Sequence, residues 1–137
     1  MKITFYGDPR TKKNRQQPVI AQRKDGTEYT RLIPSKPFQQ YESDCLRQIT
    51  GNMRQDIHDP VNVKVIYYMK TRRTVDLLNL LEATCDILVK ARVLRDDNSR
   101  IVVSHDGSRV RYDKNNPRAE ITIEQSDADF QLQIDDL

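Results

Sequence analysis

The sequence predicts a single small α+β domain, a mixed β-sheet carrying two main helices. Three observations predict it. The 137 residues suffice for one modest core. Val61, Val63, Val65, Tyr67 and Met69 recur at every second position, the period of a strand. Two segments place apolar residues at helical spacing: Phe38, Tyr41, Cys45 and Ile49 in one, Leu77, Leu80, Leu81, Ala83, Thr84, Ile87 and Leu88 in the other.

The elements follow in order. Ile3 and Phe5 alternate with polar neighbours, a short strand over residues 2–6. Gly7-Asp8-Pro9 turns the chain into dense positive charge at Arg10, Lys12, Lys13 and Arg15. Val19 to Ala21 and Glu28 to Ile33 flank Asp25-Gly26, a hairpin turn. Ser35 caps a helix that carries Pro37 in its first turn and stops at Gly51. Asp59-Pro60 punctuates the approach to the strand over Val61–Met69. The second helix runs from about Asp76 to Lys90. Asn79, Glu82, Asp86 and Lys90 form its polar stripe, with Asp86 and Lys90 at the favourable i, i+4 spacing. Ile101 to Val103 and Ala119 to Ile123 complete the strands, and Asp113 to Pro117 is a loop between them. The order β, hairpin, α, β, α, β, β fits two helices on a sheet.

Composition narrows the function. Net charge is +3, yet residues 124–137 hold five acids and no Lys or Arg, so residues 1–123 carry +8. A basic body suits a polyanionic partner. Mean hydropathy is −0.78, and no apolar run approaches the ~20 residues of a membrane span. The amino-terminal strand lacks the long apolar region of a signal peptide, so a cytoplasmic protein is expected. Cys45 and Cys85 are isolated among apolar helical positions, as in a reduced core. His58 and His105 have no zinc-ligand spacing and no triad partners. With four glycines in the chain there is no glycine-rich phosphate loop.

The chemistry concentrates between Asp76 and Asp97. Asp76 opens the second helix, either as its N-cap or as a metal ligand held at a fixed backbone position. Asp96-Asp97 reads as a turn or as an acidic pair for a cation. Arg72 and Arg73 precede this stretch; Arg95 and Arg100 surround its end. Carboxylates beside arginines suit divalent metals and phosphodiesters, since Mg²⁺ takes oxygen ligands and a DNA backbone needs neutralising. Arg10, Lys12, Lys13 and Arg15 are either a solvated loop or a phosphate clamp.

The run Arg72-Arg73…Asp76-Leu77-x-Asn79-Leu80…Asp86-x-Leu88-x-Lys90-Ala91…Leu94-x-Asp96-Asp97 resembles the RusA family of Holliday-junction resolvases, of phage and prophage type. Pro9-x-x-Lys12-Lys13-Asn14 is similar to the family's early signature. The resemblance covers residues 1–125 as a nuclease domain and leaves 126–137 as an acidic tail. It implies a homodimer that binds branched DNA and nicks two opposed strands with Mg²⁺. By position, Asp76 and Asp97 match the family's catalytic carboxylates, Asp96 their acidic neighbour, and Asn79 the family Asn. Two positions depart: Leu78 stands where the best-studied members have a second Asp, and Glu82 where they have a catalytic Lys. Glu82 lies one turn from Leu78 on the same face, so a relocated carboxylate is expected there, with Lys12 or Lys13 supplying the missing positive charge.

On this reading Asp76, Asp97, Asp96 and Glu82 hold the metal, and Lys12 and Lys13 join the catalytic group. Arg10, Lys12, Lys13, Arg15, Arg72, Arg73, Asn79 and Arg95 contact DNA, mostly its backbone. The alternatives are a non-catalytic junction-binding protein and, more distantly, an interaction module that docks through its acidic tail.

Overall fold

The computed structural model describes residues 1–12 and 17–126. Lys13, Asn14, Arg15 and the tail from Asp127 onward, with its expected docking residues Phe130, Leu132 and Ile134, lie outside the described residues. Strand β1 (Lys2–Tyr6) is followed by the hairpin strands β2 (Gln17–Gln22) and β3 (Glu28–Ile33), helix α1 (Lys36–Gln48), β4 (Val61–Met69) and helix α2 (Leu77–Lys90). The chain then forms β5 (Val102–Ser104), β6 (Arg109–Tyr112) and β7 (Arg118–Gln125). The main sheet runs β1-β7-β4, with both β5 and β6 on the far side of β4; the hairpin is a separate two-stranded sheet. β4 is antiparallel to β7 and parallel to β5 and β6, which makes the sheet mixed.

Local chemistry sets the helices. The Ser35 hydroxyl accepts the Phe38 N–H at 3.4 Å, and Pro37 fits the first turn, where its missing N–H costs nothing. α1 ends at Gln48, short of the expected Gly51. Its C-cap Ile49 is extended and buried. Asp76 caps α2 by accepting the Leu78 N–H at 2.9 Å. The far end of α2 closes on Arg92 with φ +63°, a left-handed residue usually supplied by Gly. The Arg92 N–H reaches Val89 O at 3.0 Å and the Val93 N–H reaches Leu88 O at 2.9 Å. Arg54 adds a hydrogen bond to Ala91 O at 2.7 Å, a cation at the negative helix end.

Both helices cover one face of the sheet. Phe38, Tyr41 and Cys45 of α1 and Leu80, Leu81, Ile87 and Leu88 of α2 are buried with Phe5, the odd-numbered residues of β4, and Ala119, Ile121 and Ile123 of β7. Tyr67 is fully buried, and its hydroxyl meets Thr84 Oγ1 at 2.6 Å, while Thr84 donates to Leu80 O at 2.9 Å. That chain of bonds fixes α2 against the central strand, which matters because α2 carries the acidic residues.

Two strand expectations are corrected. The strand expected at Ile101–Val103 lies at Val102–Ser104, since the Ile101 N–H bonds back to Asn98 O in a turn. β6 was not expected: all four of its residues are exposed, so alternation left no buried face to read. β5 and β6 together form one interrupted edge beside β4. Side chains bridge the break: Ser108 Oγ accepts the Val65 N–H at 3.0 Å, and Asn62 Oδ1 accepts the Asp106 N–H at 2.8 Å. No helix among the described residues is long and apolar enough to cross a membrane.

Candidate functional site

Asp76 stands at the amino end of α2, in a small cleft of about 340 Å³ lined by Thr11, Thr74, Val75 and Asn79. One carboxylate oxygen is used by the cap. Thr11 is buried in this cleft, and its hydroxyl has no hydrogen-bond partner among the described residues. The two readings of Asp76 are therefore compatible: the cap holds one oxygen, and the cleft opens beside the group.

Asp8, which the sequence did not single out, ties the amino-terminal loop to the β4–α2 connection. Its carboxylate accepts the Lys70 N–H at 3.0 Å and pairs with Arg73 at 3.2 Å and Arg10 at 3.4 Å. Arg73 also donates to Pro9 O at 3.2 Å. This clamp holds residues 8–12 against the loop that leads into Asp76.

The polar stripe of α2 is not paired as expected. Lys90 goes to Glu42 of α1 at 2.8 Å, and Asp86 goes to Lys12 at 2.5 Å. The correction has a simple cause. Tertiary packing brings α1 to Lys90 and the amino-terminal loop to Asp86, and each supplies a partner other than the i, i+4 neighbour. Lys12, expected to supply positive charge at the site, is paired with Asp86.

Asp97 belongs to the same corner. Its carboxyl is held above the usual range, first by partial burial, then by the negative charge of Asp86, with Asp96 adding to it. Asp96 is held low instead, because its oxygens accept the Asp97 N–H at 2.8 Å and the Asn98 amide at 2.9 Å. So Asp96 builds the turn, while Asp97 faces a like charge. Burial pushes the Cys85 thiol up to about 12, with Asp97 and Asp86 contributing.

Asp76 caps the start of α2, and Asp97 feels the charge of Asp86 further along it. Asp97 lies with Asp86, and Asp86 is ten residues along α2 from Asp76, about 15 Å at 1.5 Å per residue. Among the described residues no group of three or more His, Cys, Asp or Glu is placed to hold a metal ion. Glu82 is exposed on the outer side of α2 with Leu78, which is 73% exposed. Arg95 is committed to Asp56 at 2.9 Å, and Arg72 stacks on the Tyr112 ring with its guanidinium carbon 4.2 Å from the centroid.

The donors nevertheless suit Mg²⁺ in kind. They are hard carboxylate oxygens, and Mg²⁺ commonly takes only one or two protein carboxylates beside water and phosphate. The charge of Asp86 bears on Asp97, and Lys12 pairs with Asp86.

Residues 7–124 match the family model described as endodeoxyribonuclease RusA. A comparison with curated proteins returned no match.

Proposed function

We propose, for a chain that belongs to the RusA endodeoxyribonuclease family, that it resolves four-way DNA junctions as a homodimer through paired, Mg²⁺-dependent nicks. Family membership carries endodeoxyribonuclease activity on branched DNA. The paired cuts, the metal, the dimer, a cytoplasmic setting and a prophage-type role are our reading, as is a nuclease domain of residues 1–125 followed by an acidic tail.

The observation that carries this reading is the placement of carboxylates at the two ends of α2. Asp97 faces Asp86 at one end, and Asp76 caps the other beside the cleft with the unpartnered Thr11 hydroxyl. Two ligands of one Mg²⁺ stand within about 4.2 Å of each other, given Mg–O bonds of ~2.1 Å. Asp97 feels the charge of Asp86, whose backbone is about 15 Å along α2 from that of Asp76. We propose a composite site, in which Asp76 of one protomer meets Asp97 of the other. A homodimer then presents two such sites related by a two-fold axis, which suits symmetric cuts in two strands. Leu78, exposed beside Asp76, gives that end of α2 an apolar side chain for a partner to cover.

Magnesium, when bound, supplies a water of lowered pKa and stabilises charge on the leaving 3′ oxygen. The chain's own residues do the rest. Asp76 and Asp97 hold the cation, with Glu82 as the further carboxylate. Asp96 shapes the turn that presents Asp97. Lys12, tethered by Asp86, and Lys13 bring positive charge to the phosphodiester. Arg10 and Arg73, braced by Asp8, with Arg15, Arg72, Asn79 and Arg95, orient the backbone.

The exposed Leu78 also favours a second reading, a protein that binds junctions without cutting them, because an expected ligand is missing. The test is cleavage of a labelled synthetic four-way junction with and without Mg²⁺, beside Asp76→Asn and Asp97→Asn. Metal-dependent symmetric nicks lost in both variants support the nuclease. Tight binding with no nicks in any divalent metal overturns it in favour of the binding protein.

A further inference from the structure

Among the described residues, no helix or further strand covers the face of the main sheet turned away from the helices. Its alternate residues are fixed by register: Lys64 pairs across with Thr122, Ile66 with Glu120 and Arg109, and Tyr68 with Arg118 and Arg111. At the β6 edge this face hollows into an open groove of about 830 Å³ lined by Lys64, Ile66, Tyr68, Arg72, Arg109 and Arg111, with Gly107 and Tyr112 closing it. Four of those side chains are cationic and none is a carboxylate.

Pairing elsewhere makes this groove distinct. Arg10, Lys12, Arg47, Arg73, Lys90, Arg95 and Arg118 each hold a carboxylate. Among the described residues, Lys64, Arg72, Arg109 and Arg111 hold none. Arg118, next to the groove, is neutralised by Asp113 and Glu120, so the positive charge gathers at the β6 side. Gly107 makes room for the Lys64 stem, since a Cβ there would stand 3.1 Å from Lys64 Cδ. β6 is the sheet's outer strand, and Arg72 lies in the loop that runs on to Asp76. The groove and the amino end of α2 are thus joined by one short connection.

We propose that this groove is a second seat for DNA backbone, holding an uncut arm of the junction while a neighbouring strand lies at the carboxylates. Uncompensated cations in a shallow open groove match a polyanion that runs across a surface, and a small ligand would need enclosure that is absent here. The proposal rests on the reading of the chain as a junction nuclease.

The test is junction affinity by fluorescence anisotropy in EDTA, from about 50 to about 200 mM NaCl. Wild type is compared with the double variant Arg109→Gln/Arg111→Gln and, separately, with Lys64→Gln. Each lost phosphate contact removes ~0.9 from the slope of log K against log salt. The double variant's slope is expected to be shallower by about 1.8, so that this rise in salt weakens wild type about 12-fold more than the variant. Lys64→Gln alone is expected to lower the slope by about 0.9. Slopes equal to wild type in both variants overturn the groove, and an accompanying change in sedimentation would give the face to a second copy of the chain. The two readings fail separately. Wild type that binds steeply but never cuts removes the nuclease and leaves the groove, and wild type that cuts with unchanged variant slopes does the reverse.

Discussion

Mixing two inactive variants tests the composite site directly. Asp76→Asn and Asp97→Asn are each expected to abolish nicking, because each removes a ligand from both sites of its own homodimer. Mixed in equal amounts and allowed to exchange, they form about half heterodimers if association is random. In a heterodimer, one site joins the two altered residues and the other joins Asp76 and Asp97 in their native form. One site in two is whole, in half of the dimers. Nicking should therefore return to about a quarter of the wild-type level, given sites assembled across a two-fold axis. It should also change in kind, from paired cuts to single nicks. The assay is a supercoiled plasmid with an extruded cruciform: paired cuts linearise it and single nicks relax it. The structural basis is Asp97 lying under the charge of Asp86, whose backbone is about 15 Å along α2 from that of Asp76. Were the site built within one chain, every protomer in the mixture would carry a defect and nothing would return. No recovery, with exchange confirmed by a tagged protomer, refutes the reasoning.

Three further outcomes follow from the fold. Arg92→Gly relieves a left-handed φ of +63° at the end of α2; it should raise stability by about 0.5–1 kcal/mol, seen as ~2–5 °C in Tm by calorimetry. A decrease would mean that the Arg92 side chain contributes more than its backbone strain costs. Tyr67→Phe removes the buried hydroxyl 2.6 Å from Thr84 and should cost about 1 kcal/mol in urea unfolding. A loss below ~0.3 kcal/mol would show that this bond does little to anchor α2. Burial pushes the thiols of Cys45 and Cys85 up to about 12. At neutral pH both should therefore resist iodoacetamide in the folded protein and react only on unfolding, read by mass spectrometry, because the thiolate is the nucleophile. Rapid native labelling of either would contradict its packing.

Much of the fold was legible in the chain. The alternation at Val61 to Met69 marked the central strand, and apolar spacing marked α2, because both patterns record a buried face. Ser35 and Asp76 announced helix starts through the N–H groups that they cap. β6 was not legible, since an edge strand with no buried face has no periodicity to read. The end of α2 at Lys90 was legible, but its left-handed closing residue was not: Arg92 occupies a conformation that Gly would have advertised.

The site divides along the same line. Sequence by itself determined which residue types were present, that acids and bases were interleaved between Arg72 and Asp97, and which motif they resemble. Local chemistry and spacing along the chain are enough for that. Tertiary structure decided the partners. Asp86 pairs with Lys12 and bears on Asp97, while Lys90 pairs with Glu42, because segments distant in sequence pack against α2. It also decided that Asp97 comes under the charge of Asp86, ten residues along α2 from Asp76. Distance through space depends on how elements pack, and periodicity along one element carries no information about that.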